Sequence, residues 1–326
     1  MDYGRILKRA WSVTWRYRVL WIFGLFAGGV GASGGGGSYP SDTENMQNLD
    51  ASWAERGINS LQPYLPLIIV VAAVGAIVLL ALWIVGIAAR GGLIHLVNEA
   101  EENRPVRASD GWAAGFRHWI RIFLVELVLY LPFTIIVLAV LGFTIAPLII
   151  ALVSGEDPTI GIFSLCGGSV LAFIVIVGLG FVVNLLEMMA TRHVVLGLEP
   201  AGRSLSMAWA DLRKRFKDLF VMWLLTVAIG LAYGFAVGII GGIFVIVIDI
   251  ASVGGLWPLA IGIGFLMFLA LLVPGAVFGT FSSAIWTVFY RGLTGMDAGA
   301  EPVATPAPEA APTAVMPPPP PPAGLS

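Results

Sequence analysis

Five long apolar runs, residues 67–89, 122–153, 160–190, 219–250 and 256–289, constrain this chain more than any motif in it. Each exceeds the roughly 20 residues that a helix rising about 1.5 Å per residue needs to cross a hydrocarbon core of about 30 Å. A soluble domain cannot cover so many runs. With 58% hydrophobic and 12% charged residues in 326, and a mean hydropathy of +0.90, the polar surface is too scarce. The chain is expected to be all-α, a polytopic integral membrane protein.

A sixth, shorter segment sets the topology. Residues 19–32 lie within "YRVLWIFGLFAGGVGASGGGGSYP". Lys and Arg are retained on the cytoplasmic side of a membrane, so their distribution tests whether the segment crosses. If it does, the intervals 1–18, 90–121, 191–217 and 290–326 share one side and hold 17 of the 18 Lys and Arg residues, leaving only Arg56 opposite. If it dips and returns, the split is 12 against 6. The crossing arrangement predicts about six transmembrane helices with both termini cytoplasmic. So short a span needs bilayer thinning, packing within the bundle, or extension through Tyr17 with Arg18 snorkelling. Gly28, Gly29 and Gly31 would either permit close approach to a neighbouring helix or loosen the helix end. A cleaved leader, cut near Ala32 and Ser33, is the competing reading. Trp11 and Trp15 in its leader region, and an internal repeat, weigh against it.

The repeat emerges when "RILKRAWSVTWRYRVLWIF", "ASDGWAAGFRHWIRIFLVE" and "SLSMAWADLRKRFKDLFVM" are aligned. Each carries a tryptophan, then basic residues, then aromatics leading into a span. Trp11, Trp112 and Trp209 recur at separations of 101 and 97 residues, and Arg90, Arg192 and Arg291, which end the even spans, at 102 and 99. Two markers with one period predict three units, about 1–95, 105–195 and 200–293, each a basic amphipathic helix followed by a transmembrane hairpin. Together they form a membrane domain over 1–293, and 294–326 is a Pro/Ala-rich tail.

In the basic helices the apolar residues keep helical spacing. Leu205, Ala208, Trp209, Leu212 and Phe216 share one face while Arg213, Lys214, Arg215 and Lys217 lie off it. Tyr3, Ile6, Leu7, Ala10 and Trp11 repeat the pattern, and Ser109 or Asp110 can cap the middle copy. Such helices lie in the membrane interface, which makes Trp11, Trp112, Trp209, Arg213, Lys214 and Arg215 the expected lipid-interface residues, with anionic lipid as their partner. Simple anchoring of orientation competes with specific headgroup recognition.

Ionisable groups inside apolar runs are the default functional hypotheses in a membrane protein. Glu126 and Glu187, with Asn184 almost one turn deeper than Glu187, fall at similar depth near the cytoplasmic ends of their spans, where Arg90, Arg192 and Arg291 also end theirs. The six form a candidate polar cluster, either interhelical ion pairs or a pocket for a phosphorylated headgroup or a proton-coupled solute. No catalytic, cofactor or metal constellation is expected. His95, His118 and His193 are dispersed, Cys166 is the single cysteine, and no phosphate loop or triad motif is present.

Residues 33–66 read as an acidic extracytoplasmic loop with a flexible "GGGGS" connector. The tail, "AEPVATPAPEAAPTAVMPPPPPPAGLS", has ten prolines and is expected to be disordered, solubilising or docking a protein partner. Nucleic acid is not an expected partner, and oligomeric state is not readable.

The stretches "YRVLWIFGLFAGG", "RGGLIHLVNEAEENRPVRASDGWAAGF", "LGLEPAGRSLSMAWADLRKRFKDLF" and "SSAIWTVFYRGL" resemble a group of uncharacterised bacterial six-span proteins. That group is similar to the membrane domain accompanying some glycerophosphodiester phosphodiesterases, and to YciC-like proteins. The resemblance implies a bacterial plasma-membrane location, as does the use of fifteen Arg against three Lys. The soluble catalytic barrel of those phosphodiesterases has no counterpart here, so their activity does not transfer. The expected function is a non-enzymatic membrane scaffold or lipid-interacting protein, with a small-solute or lipid transporter as the alternative.

Overall fold

The computed structural model describes residues 2–29, 64–154 and 159–296, and every regular element among them is helical. Of the expected acidic loop, residues 33–63 lie outside the described residues, while Tyr64, Leu65 and Pro66 open a long helix; the proline-rich tail beyond 296 also lies outside them. Helix α1 (Tyr3–Arg16) begins where the Asp2 carboxylate accepts from the Arg5 backbone N–H at 3.1 Å, a side-chain N-cap. A short break at Tyr17 to Val19 leads to α2 (Leu20–Gly24), which runs into a π-helical turn (Leu25–Gly29). Five long helices follow: α3 (Leu65–Glu101), α4 (Ala108–Ser154), α5 (Thr159–Val195), α7 (Phe216–Val253) and α8 (Trp257–Thr294). The short α6 (Ala201–Lys214) is inserted before α7.

All five long helices are long and apolar enough to cross a membrane, so the molecule is a helical protein of multi-pass membrane type. Pro66 and Pro258 occupy first-turn positions of α3 and α8, where a missing N–H costs nothing. Gly295 ends α8 in the left-handed conformation at φ 74°, its N–H returning to the Arg291 carbonyl. Pro132 and Pro147 lie inside α4 and Pro274 inside α8, and both helices run on through them.

The core lies at one end of the bundle. Buried residues concentrate in Ile87 to Ala100 of α3, Ile122 and Val125 of α4, Val183 to Val195 of α5 and Ala284 to Leu293 of α8, with α1, α2 and α6 packed around them. The other halves of the long helices are bare apolar surface; Phe143, for example, is 84% exposed. Contiguous exposure on this scale fits hydrocarbon rather than water. Every Lys and Arg among the described residues sits at the packed end or in the segments against it.

The described part of the expected first span is residues 19–29, helical over Leu20–Gly29, about 15 Å of helix. It lies antiparallel to α3, with Phe23 against Gly92 and the Phe26 carbonyl against Gly86, and Leu20 and Phe23 are fully buried. Its tightest described approach to a neighbour is at Gly24. A Cβ on Gly24 would fall 2.3 Å from the Ala276 carbonyl of α8, whereas Gly28 meets only the Cα of Gly279, at 3.4 Å. Gly31 is outside the described residues.

The middle amphipathic stretch differs from expectation. It is not a separate interfacial helix but the first turns of the 47-residue α4. No helix-breaking residue separates it from the span, whereas the first and third copies are interrupted at Tyr17 and Arg215. Gly111 and Gly115 hold it against α3: a Cβ on Gly115 would meet the Ala88 carbonyl at 2.2 Å.

Candidate functional site

The packed end encloses a cavity of about 550 Å³ where α3, α4, α5, α8 and the π turn meet. Arg90 is placed there by the buried stripe of α3, and its guanidinium joins three elements. Nη1 donates to Glu126 Oε1 of α4 at 2.8 Å and to Glu187 Oε1 of α5 at 3.3 Å, and Nε donates to the Ala27 carbonyl at 3.1 Å. Tyr130, one turn beyond Glu126 on α4, donates its hydroxyl to Glu187 Oε2 at 2.5 Å. The carboxyl side chains are largely buried, at 13% and 11% exposure, while Arg90 is 43% exposed.

Arg192, on the same helix as Glu187, also lines the cavity. It follows Met188 by one turn of α5 and is 2% exposed. Nη1 donates to the Met188 carbonyl at 2.5 Å and Nη2 to the Ser283 carbonyl of α8 at 3.3 Å. Its Nε has no hydrogen-bond partner, and no described carboxylate lies within 4.0 Å of it. Thr191, Ser282 and Ser283 add hydroxyls to the lining, and Ile94, Ile122 and Phe278 add apolar surface.

Of the six residues expected to cluster, Glu126, Glu187, Arg90 and Arg192 line this cavity. Asn184 does not line it, and Arg291 belongs to a second network. There it bonds to Asn98 and, at 3.2 Å, to Glu102 Oε1, which also accepts from Asn98 Nδ2 at 3.0 Å. The Arg9 guanidinium pairs with Glu101 close by, so the end of α3 ties together α1 and α8. The cause is packing: Arg192 and Arg291 both lie in the last turn of their helices, but the seating of α8 against the end of α3 brings Arg291 to Asn98 and Glu102. Tyr130, Ser282 and Ser283 were missed because they look like ordinary helix residues; only contacts between distant segments reveal them.

His193 is also more than one of three scattered histidines. It is 3% exposed, its Nε2 lies 2.9 Å from Asp211 Oδ2 of α6, and Tyr290 Oη of α8 lies 2.9 Å from its Nδ1. A neutral ring satisfies both contacts with Nε2 donating to the carboxylate and Nδ1 accepting from the phenol. Nothing in the spacing of His193, Asp211 and Tyr290 signals this. Among the described residues, no group of three His, Cys, Asp or Glu side chains is placed to hold a metal.

The expected lipid-interface residues divide. Trp209 is 41% exposed beneath the Arg213 guanidinium, 4.9 Å from the ring centre, and Lys214 is exposed beside it. Trp11 is half exposed and meets Phe281 of α8 edge-on at 5.4 Å. Trp112 instead packs inward on Phe23 at 4.9 Å, because the middle stretch continues into α4. Arg215, though exposed, donates Nη1 to the Leu293 carbonyl at 2.6 Å, capping the end of α8. Tyr3 donates its hydroxyl to Asp218 Oδ1 at 2.9 Å, fastening α1 to α7. Burial, and then the Asp218 carboxylate, hold the Tyr3 phenol above the usual tyrosine range.

Residues 11–291 match the model of a family described as "Family of unknown function (DUF7544)". No curated protein and no solved structure matches the chain. The comparisons supply no link to the phosphodiesterase-associated membrane domains or to YciC-like proteins.

Proposed function

The chain belongs to the DUF7544 family of unknown function, and from that premise we propose a six-span protein of the bacterial plasma membrane that works as a lipid-interacting scaffold. In this reading residues 19–32 form the outgoing arm of the first of three hairpins, both termini are cytoplasmic, the tail is free to dock a protein partner, and no reaction is catalysed. The observation that carries it is the segregation of polar chemistry at one end of the bundle. Amphipathic α1 and α6 present Trp11, Trp209, Arg213 and Lys214 there, while the opposite halves of the long helices are mostly apolar surface and, among the described residues, carry Asp249 but no Lys or Arg. Tryptophan at headgroup depth with cations beyond it suits an anionic lipid surface.

Native mass spectra of the full chain, extracted gently from its own membrane, test the proposal. Stoichiometric retention of anionic lipid is expected. A chain that sheds all lipid, or carries only another protein, overturns it.

The cavity favours a second reading, a transporter of a small solute or lipid, because two buried carboxylates share one guanidinium beside an open volume. Proton relays in transporters use such carboxylates. Flux that survives replacement of both Glu126 and Glu187 by Gln removes this reading.

A further inference from the structure

We infer that the cavity is a receptor for a phosphate oxyanion, with Arg192 as its cation and a monoanionic phosphodiester as the preferred class of ligand. This deepens the lipid-interacting reading and rests on it for the source of the phosphate.

Charge pairing leads to this assignment. Four ionisable side chains face the cavity, and Arg90 engages both carboxyl groups. Arg192 is left with two backbone carbonyls, an Nε–H without a partner and no described carboxylate within 4.0 Å, Glu187 acting on it only at longer range. A guanidinium has five donors in a planar fork suited to phosphate. Burying one without a counter-charge is costly, and backbone acceptors offset only part of that cost. An oxyanion in the cavity would supply both the charge and the missing acceptor. The Ser282 and Ser283 hydroxyls lie on the same wall and make no hydrogen bond to any described residue, so two neutral donors accompany the cation.

Net charge restricts the ligand further. Two arginines against two carboxylates sum to zero, so a monoanion leaves the site one charge negative and a phosphomonoester dianion two. The buried Glu126 and Glu187 oppose the second charge far more in a medium of low dielectric constant. Size restricts it again, because about 550 Å³ falls in the range of whole-ligand pockets and far exceeds one phosphate. The remaining wall, with Ile94, Ile122 and Phe278, suits the glycerol and first methylenes of a phospholipid.

The test uses the full chain in a neutral detergent, titrated with phosphatidylglycerol, with diacylglycerol of the same chains, and with water-soluble glycerophosphoglycerol. Arg192→Gln removes the cation. Because Arg192 also braces α5 against α8, Ser282→Asp is the companion variant: it sets a carboxylate in the oxyanion's place beside Arg192, at a position whose hydroxyl makes no internal bond, and its unliganded melting is expected to equal or exceed the parent's. Saturation by one phosphatidylglycerol per chain is expected, weakened about tenfold or more by either variant and in diacylglycerol, the scale of a lost charge-assisted hydrogen bond.

Glycerophosphoglycerol binding as tightly, with the same sensitivity to the variants, supports the phosphate site and assigns it to a soluble ligand. With no lipid retained from the membrane, that outcome overturns the lipid reading and leaves the site standing. Diacylglycerol binding equal to phosphatidylglycerol, or phosphatidylglycerol binding unchanged in both variants, overturns the site. Lipid retention that persists through both variants leaves the scaffold reading intact without it.

Discussion

Gly24 on α2 lies so close to Thr280 on α8 that a Cβ there would sit 2.1 Å from the Thr280 hydroxyl oxygen. The same hydroxyl donates to the Leu20 carbonyl at 3.1 Å and to its own Ala276 carbonyl at 2.9 Å, so contact and hydrogen bond dock one short helix. Gly279 returns the fit, a Cβ on it falling 2.6 Å from the Gly24 carbonyl. Ala at position 24 must therefore push α2 outward or break the Thr280 bond. Overpacking of this kind costs about 1–3 kcal/mol. Gly24→Ala is expected to lower the melting temperature in detergent by several degrees. Gly142→Ala, where nothing lies within 4 Å of the new methyl, is expected to leave it level or raise it slightly. Equal melting of the two variants would refute the docking.

The Arg90 fork predicts an asymmetry among its own members. Removing the cation leaves two mostly buried carboxylates facing each other, whereas Glu126→Gln leaves Arg90 paired with Glu187. Breaking a buried ion pair from one side costs about 3–5 kcal/mol; the 43% exposure of Arg90 allows water to reduce that here. Arg90→Met should therefore destabilise the chain more than Glu126→Gln, and adding Glu126→Gln and Glu187→Gln to Arg90→Met should recover part of the loss. Thermal melting of the four chains tests the order, and a triple variant no more stable than Arg90→Met would refute it.

Legibility followed the range of each interaction. The five spans, the apolar faces of α1 and α6, and the depth match of Glu126 with Glu187 were readable because hydropathy, helical period and position in a span are local quantities. Merging of the middle amphipathic stretch into α4 was not, since the absence of a breaker after Arg121 competes with an amphipathic pattern that looks like the other two copies. The separation of Arg291 from Arg192 was equally hidden: both end a span, and only the packing of α8 against α3 sends one to Asn98 and the other to the cavity. Gly24 was passed over because a lone glycine in an apolar run carries no mark of the neighbour it will meet.

The His193 bridge predicts how α6 detaches. Asp211 is the acid that α6 extends to α5, and Tyr290 completes the link to α8. Tyr290→Phe removes one buried donor and leaves Nδ1 unsatisfied, a loss of about 1–3 kcal/mol. Asp211→Asn keeps the shape but gives up the charge-assisted bond. Amide exchange across α6 is expected to quicken in both variants, with α3 and the inner half of α4 unchanged. Exchange that quickens uniformly across the bundle would instead mark the bridge as general core packing.

Convergence of the cationic segments at one end of the bundle makes orientation testable with single cysteines. Cys166 is exposed on α5, so it is first replaced by Ser. A cysteine is then introduced at Ser38 in one chain and at Ser206, exposed on α6, in another. If residues 19–32 cross outward, a thiol reagent confined to the outside labels position 38 in intact cells, and labels position 206 only after the membrane is opened. Three long helices separate the two positions, so they lie on opposite faces whether or not residues 19–32 cross. A third cysteine at Lys8, exposed on α1, reads the crossing: it stays shielded in intact cells if the segment crosses, and is labelled together with position 38 if the segment dips and returns, which leaves five crossings. Outside labelling at 206 but not at 38 inverts the bundle, and would place the Arg192 cavity and α6 against the outer leaflet, where the lipid available to them differs.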